Sequence, residues 1–123
     1  MPNISFGQKG ESLAEDFLKR HGYRILIRNF KVKLGEIDLI GYDRDTLCFI
    51  EVKTRRSAFQ GSPFEAISKH KRRKLAQVAF CYLKKQNLFG CKARFDVVGI
   101  LQEEGKEPAI DFIKNAFSLD DLQ

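Results

Sequence analysis

Two short stretches of this chain put charge where the core of a sheet wants none: Gly35-Glu36-Ile37-Asp38-Leu39-Ile40 and Phe49-Ile50-Glu51-Val52-Lys53. A carboxylate or ammonium set among strand-forming apolar residues is costly unless it is paired, holds a metal or takes part in chemistry. Glu36 to Tyr42 and Leu47 to Val52 are both rich in strand formers, and the polar stretch Asp43-Arg44-Asp45-Thr46 lies between them. The pattern predicts an antiparallel hairpin. A turn centred between Arg44 and Asp45 pairs Asp43 with Thr46, and the same register sets Asp38 opposite Glu51 and Glu36 opposite Lys53. Opposed residues share a face, with Cβ atoms about 5 Å apart. All four polar groups should then converge on one side, with Ile37, Leu39, Ile50 and Val52 on the other.

Two carboxylates at that spacing raise each other's pKa unless a cation lies between them. Magnesium suits such a pair: it takes one or two carboxylates, keeps several waters and leaves room for phosphate oxygens. A bound ion of this kind activates water and stabilises a leaving oxygen. Lys53, two residues beyond Glu51 on the same face, is placed to orient the attacking water or neutralise charge in the transition state. The competing reading is a cross-strand Glu36–Lys53 ion pair with Asp38 and Glu51 at a solvated edge, a common arrangement of little energetic worth. The apolar flanks of both strands favour the site.

The acid, then Glu-x-Lys on the next strand, resembles the core motif of the restriction-endonuclease-like superfamily. The wider set Gly7, Gly10-Glu11, Ala14, Leu18, Gly22-Tyr23, Asn29, Gly35 to Asp38, Phe49 to Arg55, Lys71 and Arg94-Phe95-Asp96-Val97-Val98 resembles the YraN-like family of bacterial proteins, across nearly the whole chain. That family is held to share its fold with archaeal Holliday junction resolvases. The resemblance implies Asp38 and Glu51 as metal ligands for Mg2+ or Mn2+, Lys53 as the catalytic lysine, and Glu11 as the glutamate that resolvase relatives supply from their first helix. Where the superfamily often has a proline before the aspartate, this chain has Ile37. Glu36 has no secure superfamily role and is taken as a site neighbour that holds Lys53.

The rest of the chain supplies a frame. Leu13, Ala14, Phe17 and Leu18 recur at helical spacing from Phe6 or Gly7 to about Arg20, and Gly22 stops the helix. With Ala14 and Leu18 toward the sheet, Glu11 lies close to that face one turn earlier; Glu15 has the weaker claim. Tyr23 to about Lys31 predicts a strand with Tyr23, Ile25 and Ile27 on one face. Thr54 to Gly61 is a polar, basic loop and a candidate substrate flap. Ser62-Pro63-Phe64-Glu65 reads as a helix start with a capping box, and the second helix runs to about Lys85, with Ser68 a possible second cap. Ala93 to Ile100 and Ala109 to about Ile113 complete a mixed sheet in the order α-β-β-β-α-β-β, the restriction-endonuclease-like α/β arrangement. Asp96 is expected to serve an ion pair or backbone hydrogen bond, and His21 and His70 to cap or lie on the surface.

A chain of 123 residues, 43% hydrophobic and 31% charged, has the size and balance of one globular domain spanning 1–123. Met1 to Gly10 lack the apolar segment of a signal peptide, and no run approaches a membrane span, so a cytoplasmic location is expected. Cys48, Cys81 and Cys91 lack metal-type spacing; Cys48 and Cys81 read as core residues. The formal net charge is +6, and Lys69, Lys71, Arg72, Arg73 and Lys74 crowd the second helix start against the macrodipole preference. With Arg55 and Arg56 they form a candidate phosphate-binding path away from the hairpin. Phe59, Phe64 and Phe89 could stack on bases, though core packing suits most of the 11 phenylalanines. These features point to a metal-dependent nuclease acting on structured or branched DNA, or to a non-catalytic module that binds DNA, less readily RNA; an adaptor for an acidic protein is a third class. Resolvase relatives act as symmetric dimers, which makes a homodimer possible here.

Overall fold

Ser5 and Gln8 close a capping box, with the Gln8 N–H donating to Ser5 Oγ at 3.1 Å, and so start helix α1, Phe6–Arg20. The helix ends where His21 places Nδ1 2.8 Å from the Phe17 carbonyl oxygen and Gly22 takes φ +89°. The computed structural model describes residues 5–58, 61–65 and 67–117; Phe59 and part of the candidate flap lie outside them. After α1 come β1 (Tyr23–Val32), β2 (Gly35–Asp43), β3 (Thr46–Arg55), α2 (Lys69–Lys85), β4 (Ala93–Leu101) and β5 (Ala109–Phe117). The five strands form one mixed sheet in the order β1-β2-β3-β4-β5, antiparallel except for β3 against β4. This is the α/β arrangement expected from the sequence.

Each face of the sheet is covered by one helix. Leu75, Val78, Ala79, Tyr82 and Leu83 of α2 pack on Ile37, Ile40, Leu47, Phe49 and Phe95. On the other face, Ala14 and Leu18 of α1 pack on Leu39, Cys48, Ile50, Val98 and Ile100. Burial of these apolar side chains is the main stabilising contribution, each worth about 1.5–3 kcal/mol relative to exposure.

Four expectations need correction. A register shift between Ile25 and Ile27 sends Tyr23 and Ile25 to the α1 face but Ile27 to the α2 face, because a bulge adds one residue to the side-chain alternation. Ile37 and Leu39 also part company, to the α2 and α1 faces respectively. Between their partners Phe30 and Arg28 lies Asn29 at φ 54°, a left-handed residue that breaks the alternation. Finally, the helix start at Ser62 does not propagate. Ser62 Oγ accepts the Glu65 N–H at 3.2 Å, but residues 63–65 form only a turn, and α2 begins at Lys69 with Ser68 as its cap. Cys81 is half-buried rather than core, while Cys48 is buried.

Gly10 sets how closely α1 approaches the sheet: a Cβ there would lie 2.1 Å from Thr54 Oγ1 on β3. In an open helix, glycine to alanine would stabilise by about 0.5–1 kcal/mol. Here the contact reverses the sign. Gly10→Ala should destabilise the protein by about 1–3 kcal/mol in urea unfolding, and Thr54→Ala introduced with it should restore most of the loss, since the two sites share the clash.

Candidate functional site

The β2–β3 ladder runs in the expected register from Asp43↔Thr46 to Leu39↔Ile50 and then stops. Beyond that point β2 is paired only with β1, as far as Val32↔Gly35, and β3 only with β4, as far as Arg55↔Leu101. At the parting, the Val52 N–H donates to Asp38 Oδ2 at 2.8 Å. A side-chain carboxylate thus takes a β3 amide at the end of the ladder. The cleft that opens, about 380 Å³, is lined by Phe6, Gly7, Glu11, Asp38, Glu51, Val52, Lys53, Thr54 and Lys71.

Asp38 and Glu51 therefore line one cleft, and α1 brings Glu11 to it. The expected Glu36–Lys53 pair does not form, because the strands have separated before that position. Glu36 instead lies 3.8 Å from Lys31 on β1 and joins Glu11 and Asp38 in a cluster in which one carboxylate oxygen of each lies within 4.8 Å of the others. Asn29 holds two of these acids. With its amide turned to satisfy both, its nitrogen donates to Glu11 Oε1 and to Glu36 Oε1, each at 2.8 Å. Asp38 is the corner shared by this cluster and Glu51.

Charge crowding shows in the acid strengths. Burial pushes the Glu51 carboxyl up from 4.5 to about 8; the adjacent Asp38 adds to the rise, and Lys71 and Lys53 oppose it. Glu11 is also raised, by burial first and then by Asp38 and Glu36. The Lys53 ammonium is lowered, chiefly by burial and then by its neighbour Lys71. Lys71 moves the other way: burial works against its charge, but the neighbouring Lys53, whose own basicity is lowered, and the carboxylates Glu51 and Asp38 outweigh it. Lys71 Nζ lies 3.5 Å from Glu51 Oε2, and that oxygen, on a side chain only 8% exposed, has no hydrogen-bond donor among the described residues. A buried carboxylate oxygen without a donor, in an all-oxygen set of acids, fits a hard divalent cation such as Mg2+ or Mn2+.

The other two buried acids among the described residues belong to the fold. Glu15 is buried and gripped by both Arg28 nitrogens and by Lys19 at 2.9 Å, which lowers its carboxyl. Asp96, fully buried, accepts from Tyr23 Oη at 2.9 Å, Arg94 Nε at 3.0 Å and the Asn115 N–H at 2.8 Å. Both are structural.

The basic path is uneven. Arg55 is largely buried, 3.5 Å from Asp111 of β5, and Arg72 donates Nε to the Ile67 carbonyl at 3.2 Å while its guanidinium lies 4.5 Å from the centre of the Phe64 ring. These two arginines serve β5 and the start of α2. Arg56 is exposed, with its guanidinium 4.3 Å from the centre of the Phe6 ring beside the cleft. Lys69, Arg73 and Lys74 are exposed on the first turns of α2, and Lys71 reaches the cleft itself. Of the phenylalanines considered for stacking, Phe64 packs against the core, whereas Phe89 is 59% exposed.

Sequence reasoning missed the role of Asn29 and the place of Lys71. An asparagine inside a strand, tolerant of left-handed backbone, was the signal for the first. A lysine three residues after the Ser68 cap, against the helix dipole, was the signal for the second.

A five-stranded mixed sheet with one helix on each face and an acid-lined cleft between parting strands defines the class. The chain belongs to the uncharacterised protein family UPF0102, the YraN family, whose pattern matches residues 10–100. It is similar to UPF0102 proteins of Desulfosudis oleivorans (46% identical, covering 91% of this chain and 89% of that one), Geobacter metallireducens (46%, 95% of each) and Caldicellulosiruptor saccharolyticus (47%, 95% and 100%). Among the described residues no helix is long and apolar enough to cross a membrane.

The raised Glu51 carboxyl gives a pH signature. Between about 4.5 and 8 the group is protonated in the folded protein and ionised in the unfolded chain, so its contribution is fully present below the unfolded value and is lost as pH rises through the folded one. Metal-free protein should lose stability across this window. Glu51→Gln should flatten the slope, gaining at least about 4 °C on wild type between pH 5 and pH 8 in thermal melts; parallel curves would refute the assignment.

Proposed function

We propose that the protein is a metal-dependent phosphodiester hydrolase acting on structured or branched DNA in the cytoplasm. The observation that carries this reading is the convergence of Asp38, Glu51, Glu11 and Lys53 on one cleft where β2 and β3 part, with Glu51 Oε2 buried and lacking a donor. A folded structure that keeps three acids close together at such electrostatic expense is most simply one that uses them.

In this reading Asp38 and Glu51 hold the ion, and Glu11 and Glu36, fixed by Asn29, complete the acidic wall. When bound, Mg2+ or Mn2+ supplies charge neutralisation at the phosphate and a more acidic water. The chain's own residues supply the rest. Lys53 Nζ, its basicity reduced by burial, orients the attacking water; the water oxygen bonds to phosphorus and gives up a proton to solvent, while the bond from phosphorus to the leaving sugar oxygen breaks and that oxygen takes up a proton from solvent. Lys69, Arg73, Lys74 and Arg56 fix the flanking phosphates without reading base sequence. The net charge of +6 favours such a polyanion through counterion release.

The test is a panel of four-way junction, flap, duplex and single-stranded DNA incubated with Mg2+ or Mn2+. Wild type should cleave at least one branched substrate, and Asp38→Asn and Lys53→Ala should each lose at least about 100-fold in rate while binding weakens by less than about threefold. Wild-type binding without cleavage on any substrate would replace this reading with that of a non-catalytic DNA- or RNA-binding module.

A further inference from the structure

We propose that Lys71 is a catalytic residue of this same site: its ammonium accompanies Glu51 in the metal-free protein and turns to the substrate phosphate when a divalent ion takes Glu51. The inference rests on the metal-dependent reading above. Its ground is a contact that is close without being tied. Lys71 Nζ approaches Glu51 Oε2 to 3.5 Å, too far for a good hydrogen bond, and that oxygen has no donor among the described residues. Glu15 shows what this fold does with a glutamate it means to pin: two nitrogens of Arg28 grip it, and Lys19 adds a contact at 2.9 Å. Glu51 receives one distant ammonium on a flexible four-carbon stem.

The placement of Lys71 is specific. Its backbone N–H donates to the Ser68 cap at 3.1 Å, which fixes the root of the side chain at the first turn of α2. From there the side chain enters the cleft beside Lys53 while remaining 42% exposed, whereas Glu51 is 8% exposed. The ammonium thus has the buried acid on one side and solvent on the other, the side from which a DNA backbone would arrive. Helix stability gives no reason for it, since a cation at a helix start opposes the macrodipole. Arg72, next in sequence, is spent on the Ile67 carbonyl and the Phe64 ring. Lys71 alone of the five basic residues at this helix start lines the cleft.

An ammonium and a dication near one carboxylate repel each other, so Lys71 and the ion compete for Glu51. Two quantities should then move in opposite directions. By calorimetry with MnCl2 on the full chain without nucleic acid, Lys71→Met should bind Mn2+ at least about fivefold more tightly than wild type, Lys71→Arg should stay near wild type, and Asp38→Asn should bind weakly or not at all. On the best branched substrate with saturating Mn2+, Lys71→Met should lose about 100-fold in kcat with a smaller change in KM. A merely structural lysine would lower both or neither. Unchanged or weaker Mn2+ binding by Lys71→Met, in protein shown folded by circular dichroism, would overturn the inference and leave the site standing, as would tighter binding with undiminished cleavage. Absence of Mn2+ binding by wild type would overturn the metal reading and this inference with it. Lys71→Gln repeats the comparison with a polar end should methionine perturb folding.

Discussion

The bond from the Val52 N–H to Asp38 Oδ2, 2.8 Å long, is where the sheet changes from a continuous barrier into a cleft. On one side of it β2 and β3 are paired; beyond it each follows its outer neighbour. A split in a sheet normally leaves buried amides without acceptors, which is costly. By accepting one of them, the Asp38 carboxylate relieves that cost at the parting and is itself fixed at the cleft's inner edge. Every other feature of the site is arranged around this corner: Glu51 on the preceding residue of β3, Glu11 one helix away, and Glu36 two residues earlier on β2.

Acid crowding of this kind requires compensation, and the fold supplies it in three forms. The Glu51 carboxyl is held well above the usual carboxylate range because burial and Asp38 outweigh two lysines. The amide of Asn29 spans Glu11 and Glu36. Lys53 and Lys71 bring positive charge from β3 and α2. All three are weaker compensations than the closed ion pairs that hold Glu15 and Asp96 in the same molecule. That contrast separates a site that can exchange its counter-charges from acids that only brace the fold.

Much of this was legible in the residues. Helix α1, the hairpin turn at Arg44 and Asp45, and the pairing of Asp43 with Thr46 follow from local periodicity and a short polar turn, where neighbouring residues dominate the outcome. Carried five pairs further, that register would set Asp38 opposite Glu51; the ladder ends one pair short, at Leu39 and Ile50, yet both acids line the cleft. The Glu36–Lys53 pairing failed for the same reason that the cleft exists: register arithmetic assumes that strands stay together. Ile27 and Ile37 changed faces because a bulge and a left-handed Asn29 interrupt an alternation that pattern reading takes as unbroken. A basic cluster could be recognised as basic, but not sorted. Only packing shows that Arg55 lies by Asp111, that Arg72 serves the α2 start, and that Lys71 enters the cleft.

The amino-acid order by itself determined the succession of helices and strands, the closing of α1 by Ser5 and Gly22, and the presence of acids and a lysine in strands that should be apolar. Those properties depend on residues within a turn or two of one another. Tertiary structure decided which acids share a wall, where β2 leaves β3, and which cations are spoken for, because each depends on contacts between elements far apart in the chain. Gly10 against Thr54 shows the reason most directly: the missing side chain lets α1 settle close enough on β3 for Glu11 to join the cleft, and no local pattern records that distance.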